Sequence, residues 1–397
     1  MNQLRVAVIA DLVEEGWPSM DLVADMLVDC LQREHAGAID VRLVRPSLAA
    51  RATRLPAVGR TSAAFTIDRF ASRLWDYPRH MRALTASADV FHIVDHSYAH
   101  LVHELPSGCV LVTCHDLDTF RSVLEPHLER RSPPFRWMTQ RILSGMRKAA
   151  HVACDTEATR DALVERAGMD PARTSVVHNG PHPSCQPVPE TAADVDAARV
   201  LGSAATGRYL LHVGSTIARK RIDILLRVFA GVRRAHPSVR LVRVGGPLTG
   251  EQQALARDLG VDDAIVVLPF LDRNTLAAVY RRSALVLLTS EREGFGLPVL
   301  EALACGTQVV ASDIDALREV GGTAIDYVEP DDVEAWVGQV DERLRQAEAD
   351  PAAAAAWRQA GLARASAFSW SRAAASGVSI RAPETTSARR SPTWSRQ

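Results

Sequence analysis

Lysine is nearly missing from this chain: of its 46 basic residues only Lys148 and Lys220 are lysines. The formal net charge is −1, which excludes a nucleic-acid binder that relies on overall basic charge. The six cysteines, at 30, 109, 114, 154, 185 and 305, contain no Cys-x-x-Cys pair, so they read as buried thiols of a reducing compartment rather than a disulfide frame or zinc ribbon. Asp11, Glu14 and Glu15 interrupt the apolar start, which does not read as a signal peptide. No run reaches the ~18 apolar residues of a membrane helix. The expected place is the cytoplasm, free or peripheral at the inner face of the membrane. The first strand is not followed by Gly-x-Gly-x-x-Gly, so the dinucleotide fingerprint is absent. No internal repeat is present. What is there is length and apolar content: 397 residues, 47% hydrophobic, too long for one ordinary core and right for two domains.

The stretch from Ala284 to Ser312, ALVLLTSEREGFGLPVLEALACGTQVVAS, is the most informative. Ala284 to Thr289 is an apolar run of buried-strand length. Ser290 to Gly296 is a polar loop, Pro298 suits the first turn of a helix, and Gly306 suits the position just past its end. Gln308 to Ala311 is the next strand. A strand–helix–strand unit this short implies a parallel sheet. Glu293 stands in the loop and Glu301 about one turn into the helix, so both carboxylates can face one ligand at a strand's carboxyl end. The N–H groups at Gly296 and Leu297 make a positive helix end suited to a phosphate. Phosphate at those N–H groups, with carboxylates nearby for hydroxyls, describes a nucleotide-sugar site. Two unrelated surface glutamates are the bland alternative, and Gly294-Phe295-Gly296-Leu297-Pro298 between them weighs against it.

Glu293-Gly-Phe-Gly-Leu-Pro-Val-Leu-Glu301 resembles the Glu-x7-Glu motif of retaining, nucleotide-sugar-dependent glycosyltransferases of family four. The resemblance runs from about Leu4 to Arg372 and is strongest from Tyr209 to Gly322. It implies an α/β protein of GT-B fold, two doubly wound Rossmann-like domains facing a cleft. It also implies that Glu293 lies against the donor sugar, with Gly294, Phe295, Gly296 and Leu297 around the donor, and that Glu301 holds the ribose hydroxyls. The partners implied are a nucleoside diphosphate sugar and a saccharide or lipid-linked acceptor, with no metal and no other cofactor.

Other stretches gain meaning beside that motif. Tyr209 to Val213 is a strand followed by Gly214-Ser215-Thr216-Ile217-Ala218-Arg219-Lys220, and Ile222 to Ala235 is a helix. A glycine turn with Arg-Lys before a helix suits a diphosphate, the cations neutralising its charge. Many family members carry Arg where Ser215 stands, and Arg219 is expected to substitute. Pro269-Phe270-Leu271 matches the loop near the nucleobase. Cys109 to Cys114 is a strand ending in His115, and the family has a histidine there close to the donor sugar. Gly16 and Trp17 stand in the loop after the first strand, which the resemblance places on the acceptor side. Asp116-Leu117-Asp118 spells Asp-x-Asp, a common three-residue coincidence. His96 and His100 are spaced i, i+4, but no third metal ligand accompanies them. From Glu125 to Lys148, six cations interleave with Phe135 and Trp137, either a solvated face or a patch for an anionic, lipid-linked acceptor.

The expected domains are 1–182 on the acceptor side, a linker over 183–206, a donor domain over 207–372, and an irregular tail over 373–397. The expected reaction is retaining transfer of a hexosyl group, of mannose or glucose type, to an acceptor hydroxyl in cell-surface polysaccharide or glycoconjugate synthesis. The roles expected in catalysis are those of Glu293, His115, Lys220 and Arg219. Two alternatives stay open on sequence alone, a nucleotide-sugar epimerase of the same fold and a non-catalytic nucleotide-sugar-binding protein.

Overall fold

The computed structural model describes residues 3–56 and 59–379. They form two compact units. The first takes the chain up to Cys154, then Arg160–Val177, then the chain from Ser371; the second takes Asp155–Thr159 and His178–Trp370. Each unit is built on a six-stranded sheet in which every recorded pairing is parallel.

The first sheet contains β1 (Leu4–Ile9), β2 (Ile39–Val44), β3 (Val90–Ile93), β4 (Val110–Cys114), β5 (His151–Cys154) and β6 (Thr174–Val176). Its order is β2-β1-β3-β4-β5-β6. The helix Pro18–Glu34 follows β1; its proline sits in the first turn, and Leu22, Val23, Met26, Leu27, Cys30 and Leu31 recur at helical spacing on its buried face. The helix Pro133–Lys148 buries Thr139, Ile142, Leu143, Gly145 and Met146. Gly145 sits against the chain at Ala99, where a Cβ would stand 2.0 Å from the Ala99 carbonyl oxygen.

The second sheet contains β7 (Tyr209–Val213), β8 (Arg240–Val244), β9 (Ile265–Leu268), β10 (Leu285–Leu288), β11 (Val309–Ser312) and β12 (Asp326–Val328), in the order β12-β11-β10-β7-β8-β9. Alternate residues of its strands enter two separate cores. Leu211, Val242, Val286 and Leu288 face one, and Leu210, Leu241, Leu285 and Leu287 face the other. Period-two side chains on strands covered on both faces give the continuous apolar runs seen in the sequence. The helix Ile222–Ala235 contributes Leu225, Leu226 and Phe229 to the second core. Full burial of one such side chain stabilises by about 2 kcal/mol.

Both sheets reverse their strand order once, between β1 and β3 in the first and between β7 and β10 in the second. On either side of such a reversal the connections leave to opposite faces. A crevice therefore opens at the carboxyl ends of the two central strands.

Within the expected linker, 183–206, the sequence also suggests a short helix, Ala192 to Val200; the structure has it as Thr191–Leu201, packing Ala193, Ala197 and Leu201 into the second unit's core. One boundary expectation is corrected. The segment expected to be irregular from 373 is helical over its first residues, as Trp370–Ser379. Ser371 there donates to Glu34 at 2.7 Å. Its alanines lowered the polarity of the stretch enough for a short helix, whereas the remainder of that tail, 380–397, lies outside the described residues. The helices Ser62–Ala71 and Tyr77–Leu84 occupy a stretch for which the sequence reading made no assignment.

Candidate functional site

The second unit's reversal point is where the motif residues gather. Thr289 and Ser290 lead the chain out of β10, and both are buried. Thr289 Oγ1 donates to the carbonyls of Lys220 at 3.1 Å and Arg221 at 3.2 Å. The Glu291 N–H donates to the Arg219 carbonyl at 2.9 Å. The loop after β10 is thus joined to the loop after β7 by backbone and side chain together.

Glu293 lies at that junction with its side chain 6% exposed. Its Oε1 accepts from Lys220 Nζ at 2.5 Å and from Ser290 Oγ at 2.6 Å. Its Oε2 accepts from Arg219 Nη1 at 3.3 Å. Burial pushes this carboxyl's pKa up. The charges of Lys220 and Arg219 and the hydrogen bonds from Lys220 and Ser290 outweigh burial and hold it below the ordinary glutamate value. Glu293 is therefore an anion at neutral pH.

The loop after β7 is shaped from behind by a residue the sequence reading passed over. Arg243 sits inside β8, fully buried. It donates to the Gly214 carbonyl at 2.7 Å and also to the Gly246 carbonyl. Burial lowers its pKa to about 10, so it keeps its charge at neutral pH. A Cβ at Gly245 would stand 2.2 Å from the Gly214 carbonyl oxygen, so only glycine allows this approach. The signal was legible: an arginine in the apolar run Leu241-Val242-Arg243-Val244 has to find acceptors. His212, on β7, is wholly buried, and its pKa is pushed well below the ordinary value by burial and then by Arg243 and Lys220. Arg221, at φ 46, is the only non-glycine with positive φ among the described residues. That conformation costs roughly 1 kcal/mol. Hydrogen bonds from its side chain to Asp223 and Asp331 hold it there.

Glu291 pairs with Arg292, and Asp223 and Asp331 pair with Arg221, which leaves Arg219, Lys220 and Arg243 around the one carboxylate Glu293, so the local field favours an anion. The helix Leu297–Ala304 starts beside them with Gly296 at φ 98 and no side chain capping its first turn. A Cβ on Gly296 would come within 2.5 Å of Leu317. The Gly294 carbonyl accepts from Thr156 Oγ1 at 2.9 Å and Thr159 Oγ1 at 3.3 Å, two further partners of the motif loop that sequence reasoning missed.

Glu301 belongs to a different set of contacts. It is buried; Tyr280 Oη donates to its Oε2 at 3.0 Å and Arg273 Nη1 is 3.7 Å from its Oε1. Burial raises its pKa, and Arg273 and Tyr280 only partly offset this. The Phe295 ring is core, with Phe368 edge-on at 5.9 Å, so its side chain packs inward. Phe270 is 60% exposed just past β9, and Ser215 is partly exposed beside Gly214. Glu319 accepts from the Glu157 N–H at 2.8 Å and lies 2.7 Å from His178 Nε2, a structural role.

His115, Gly16 and Trp17 are in the first unit. His115 is buried at the end of β4, and its Nε2 donates to the Val94 carbonyl at 2.6 Å. Gly16 ends a short turn at φ 58, and Trp17 after it is 52% exposed. His96 faces Thr119 at 3.1 Å, while His100 Nε2 is 2.9 Å from the Arg73 carbonyl, so that pair points to different partners. Among the described residues no group of His, Cys, Asp and Glu is arranged to hold a metal ion. In the basic stretch, Arg141 pairs with Glu104, Arg131 with Glu129, and Arg147 binds the Ala167 carbonyl. Lys148 Nζ donates to His103 Nδ1 at 3.2 Å, so four of those six cations are engaged within the unit. No helix among the described residues is long and apolar enough to cross a membrane.

Residues 196–362 match the family model described as glycosyl transferases group 1, and residues 23–184 match the one described as glycosyltransferase family 4. The chain belongs to this glycosyltransferase family. Among its glycosyltransferase relatives is the D-inositol 3-phosphate glycosyltransferase of Mycolicibacterium vanbaalenii, 32% identical over 281 residues, covering 65% of this chain and 58% of that protein. The Gordonia bronchialis protein of the same name is 35% identical over 212 residues, with 50% and 45% covered. The chain thus spans less than two thirds of the length of these relatives. Solved structures share the fold. Sucrose-phosphate synthase from Thermosynechococcus elongatus superposes with a TM-score of 0.71 at 20% identity, covering 95% of this chain and 98% of that one. The lipopolysaccharide glycosyltransferase WaaG gives 0.69 at 14% identity, with 95% and 99% covered. Anabaena HepE in complex with UDP-glucose gives 0.69 at 17%, with 95% and 100% covered. Both units of the chain therefore have the GT-B type of α/β fold.

Proposed function

We propose that this chain transfers a hexosyl group from a nucleoside diphosphate sugar to an acceptor hydroxyl with retention of configuration. The observation that carries the reading is the cluster of Glu293, Lys220 and Arg219 across the reversal between β7 and β10. The diphosphate takes the cations of Lys220 and Arg219 and the start of the helix at Leu297. The Gly214 turn, held open by Arg243, lets it approach the backbone. As the bond from the anomeric carbon to the phosphate oxygen breaks, charge builds on the leaving diphosphate, where these groups stabilise it. The acceptor oxygen bonds to the anomeric carbon from the same face, and its proton passes to the departing phosphate oxygen. Glu293 orients the sugar, Glu301 binds the ribose, and Phe270 and Ser215 border the nucleotide. His115, Gly16 and Trp17 belong to the first unit, which takes the acceptor. Relatives named for inositol phosphate and sucrose-phosphate chemistry favour a small hydroxylated acceptor.

The test is a thermal-shift screen of the full chain against UDP, GDP, ADP and dTDP and their common sugars, in EDTA. Binding to the folded state at one hundred times Kd stabilises by about 2.7 kcal/mol. One diphosphate should shift the melting temperature clearly. Glu293→Gln should abolish transfer from its sugar while keeping nucleotide affinity, and Glu301→Ala should weaken nucleotide binding itself. No shift with any diphosphate in a folded sample, or wild-type behaviour of both variants, sinks the assignment.

A further inference from the structure

The helices Ser62–Ala71 and Tyr77–Leu84 of the first unit are joined by a π-helical turn, Ser72–Asp76. The junction residues Ala71, Ser72, Asp76 and Tyr77 all keep right-handed helical dihedrals, so the run is continuous. In the turn the Tyr77 N–H donates to the Ser72 carbonyl, five residues back, which brings residues five apart onto one side. One side of the run is core: Ala64, Asp68, Ser72, Tyr77 and Met81 are buried. The other side carries Ile67, Phe70, Trp75, Arg79 and Arg82, all exposed. Ile67 is 60% exposed and Trp75 57%. Single exposed apolar residues need no explanation, but these follow one another along one stripe.

A second helix of the same unit continues the face. Trp137, on Pro133–Lys148, is 59% exposed. It lines a surface cavity of about 340 Å³ together with Trp75, Pro78, Arg79, Arg82 and Arg141. Two indoles and three guanidiniums from two helices thus share one depression. Arg79 lies over the Trp75 ring at 3.8 Å and Arg69 over the Phe70 ring at 5.7 Å; neither has an ion pair among the described residues. The acids nearby are occupied. Asp68 turns inward and accepts from the N–H groups of Arg51, Ala52 and Thr53. Asp76 pairs with Arg51 at 2.7 Å, and Glu15 with Arg73 at 3.5 Å. Glu104 is shared by Arg82, at 2.6 Å, and Arg141, at 3.3 Å. From 130 to 148 there are six cations and no acid. In a chain of net charge −1 this face is a concentrated positive field.

We propose that this face of the first unit docks on an anionic lipid bilayer, with Ile67, Phe70, Trp75 and Trp137 in the interface and Arg69, Arg79, Arg82 and Arg141 on the lipid phosphates. The inference goes beyond the transferase reading and does not depend on it. A helical run with bulky apolar residues among arginines on its solvent side has the make-up of a helix that lies in the bilayer interface. Indole rings favour the headgroup level, and arginine stems lie along apolar surface while their heads reach phosphate. Other occupants fit less well. A second copy of this chain presents the same cations. Residues 380–397 carry four arginines and one glutamate, the wrong sign to cover the face. A polynucleotide would use the cations and bare aromatic rings, but it leaves Ile67 without a partner, and Arg79 already covers one face of Trp75. Near an anionic bilayer each cation raises partitioning about fivefold.

The test is co-sedimentation of the full chain with vesicles of phosphatidylcholine alone and of phosphatidylcholine mixed with phosphatidylglycerol, at low and at physiological salt. Wild type should sediment with the anionic vesicles, less so as salt rises, and stay in solution with the neutral ones. Arg79→Glu and Trp137→Ser, both at exposed positions, should each weaken that binding about tenfold or more, with the nucleoside diphosphate shift unchanged. Arg234→Glu, on the helix Ile222–Ala235 of the second unit, should bind as wild type does. No binding to anionic vesicles, or equal binding to neutral ones, would overturn the proposal. So would full binding by Arg79→Glu or Trp137→Ser, an equal loss in Arg234→Glu, or tighter binding of poly(U) than of anionic vesicles. A missing diphosphate shift beside intact vesicle binding counts against the transferase reading alone.

Discussion

The two reversal points differ in how they treat a buried carboxylate. Between β7 and β10, Glu293 is surrounded by Lys220, Arg219 and Ser290 and is held as an anion. Between β1 and β3, Asp11 is buried beside Asp95 and Glu15 and is held as an acid. The same sheet geometry thus offers one edge that is electropositive and one that is acidic. The lesson is that topology locates a site, whereas the charges brought by the loops decide what it takes.

The comparison can be broken most severely at Lys220. Lys220→Met leaves Glu293 buried with only Arg219 for charge. We expect a loss of about 3 kcal/mol in denaturant unfolding, together with a larger loss of affinity for a nucleoside diphosphate than for the nucleoside. Equal losses for both ligands would remove Lys220 from the phosphate site. Replacing Asp11 should act in the opposite direction. Its folded pKa is raised, so the native state keeps a proton that the unfolded chain releases above its ordinary value of 3.8. The stabilisation by this group is complete below about pH 4 and is lost as pH rises toward about 9. Asp11→Asn removes this slope and should be more stable than wild type at pH 8, with little difference at pH 4. Parallel stability curves for the two proteins would show that the carboxyl is not buried as an acid. A smaller effect is expected at Tyr280→Phe, which takes from Glu301 its hydrogen bond and should cost about 1 kcal/mol, with a further rise in the Glu301 pKa. Unchanged stability there would mean that another donor replaces the phenol.

The elements near the motif were legible because each carries its own local signal. The helix Ile222–Ala235 follows from apolar spacing, and the strand–loop–helix–strand around Glu293 follows from an apolar run, two glycines and Pro298. The helix Thr191–Leu201 was less legible as core, because its buried face is built from alanines, which give a weak periodic contrast. Trp370–Ser379 was hidden by the serines and alanines that resemble the start of a tail.

The sequence by itself determined that the strands are parallel and doubly covered, since apolar runs joined by helical crossovers have no other stable arrangement. It also placed Glu293, Glu301, Lys220 and Arg219 on loops and a helix start, because local turn chemistry is written in neighbouring residues. Only the tertiary structure decided which side chains answer one another. Lys220 reaches Glu293 rather than solvent, Arg243 turns inward to two carbonyls, and Glu301 is held by Tyr280. Strand order decided it: β7 lies beside β10, and β1 beside β3. Such pairings join residues far apart in the chain, where no local propensity acts and the balance of burial against charge is settled by whichever partner the sheet brings near.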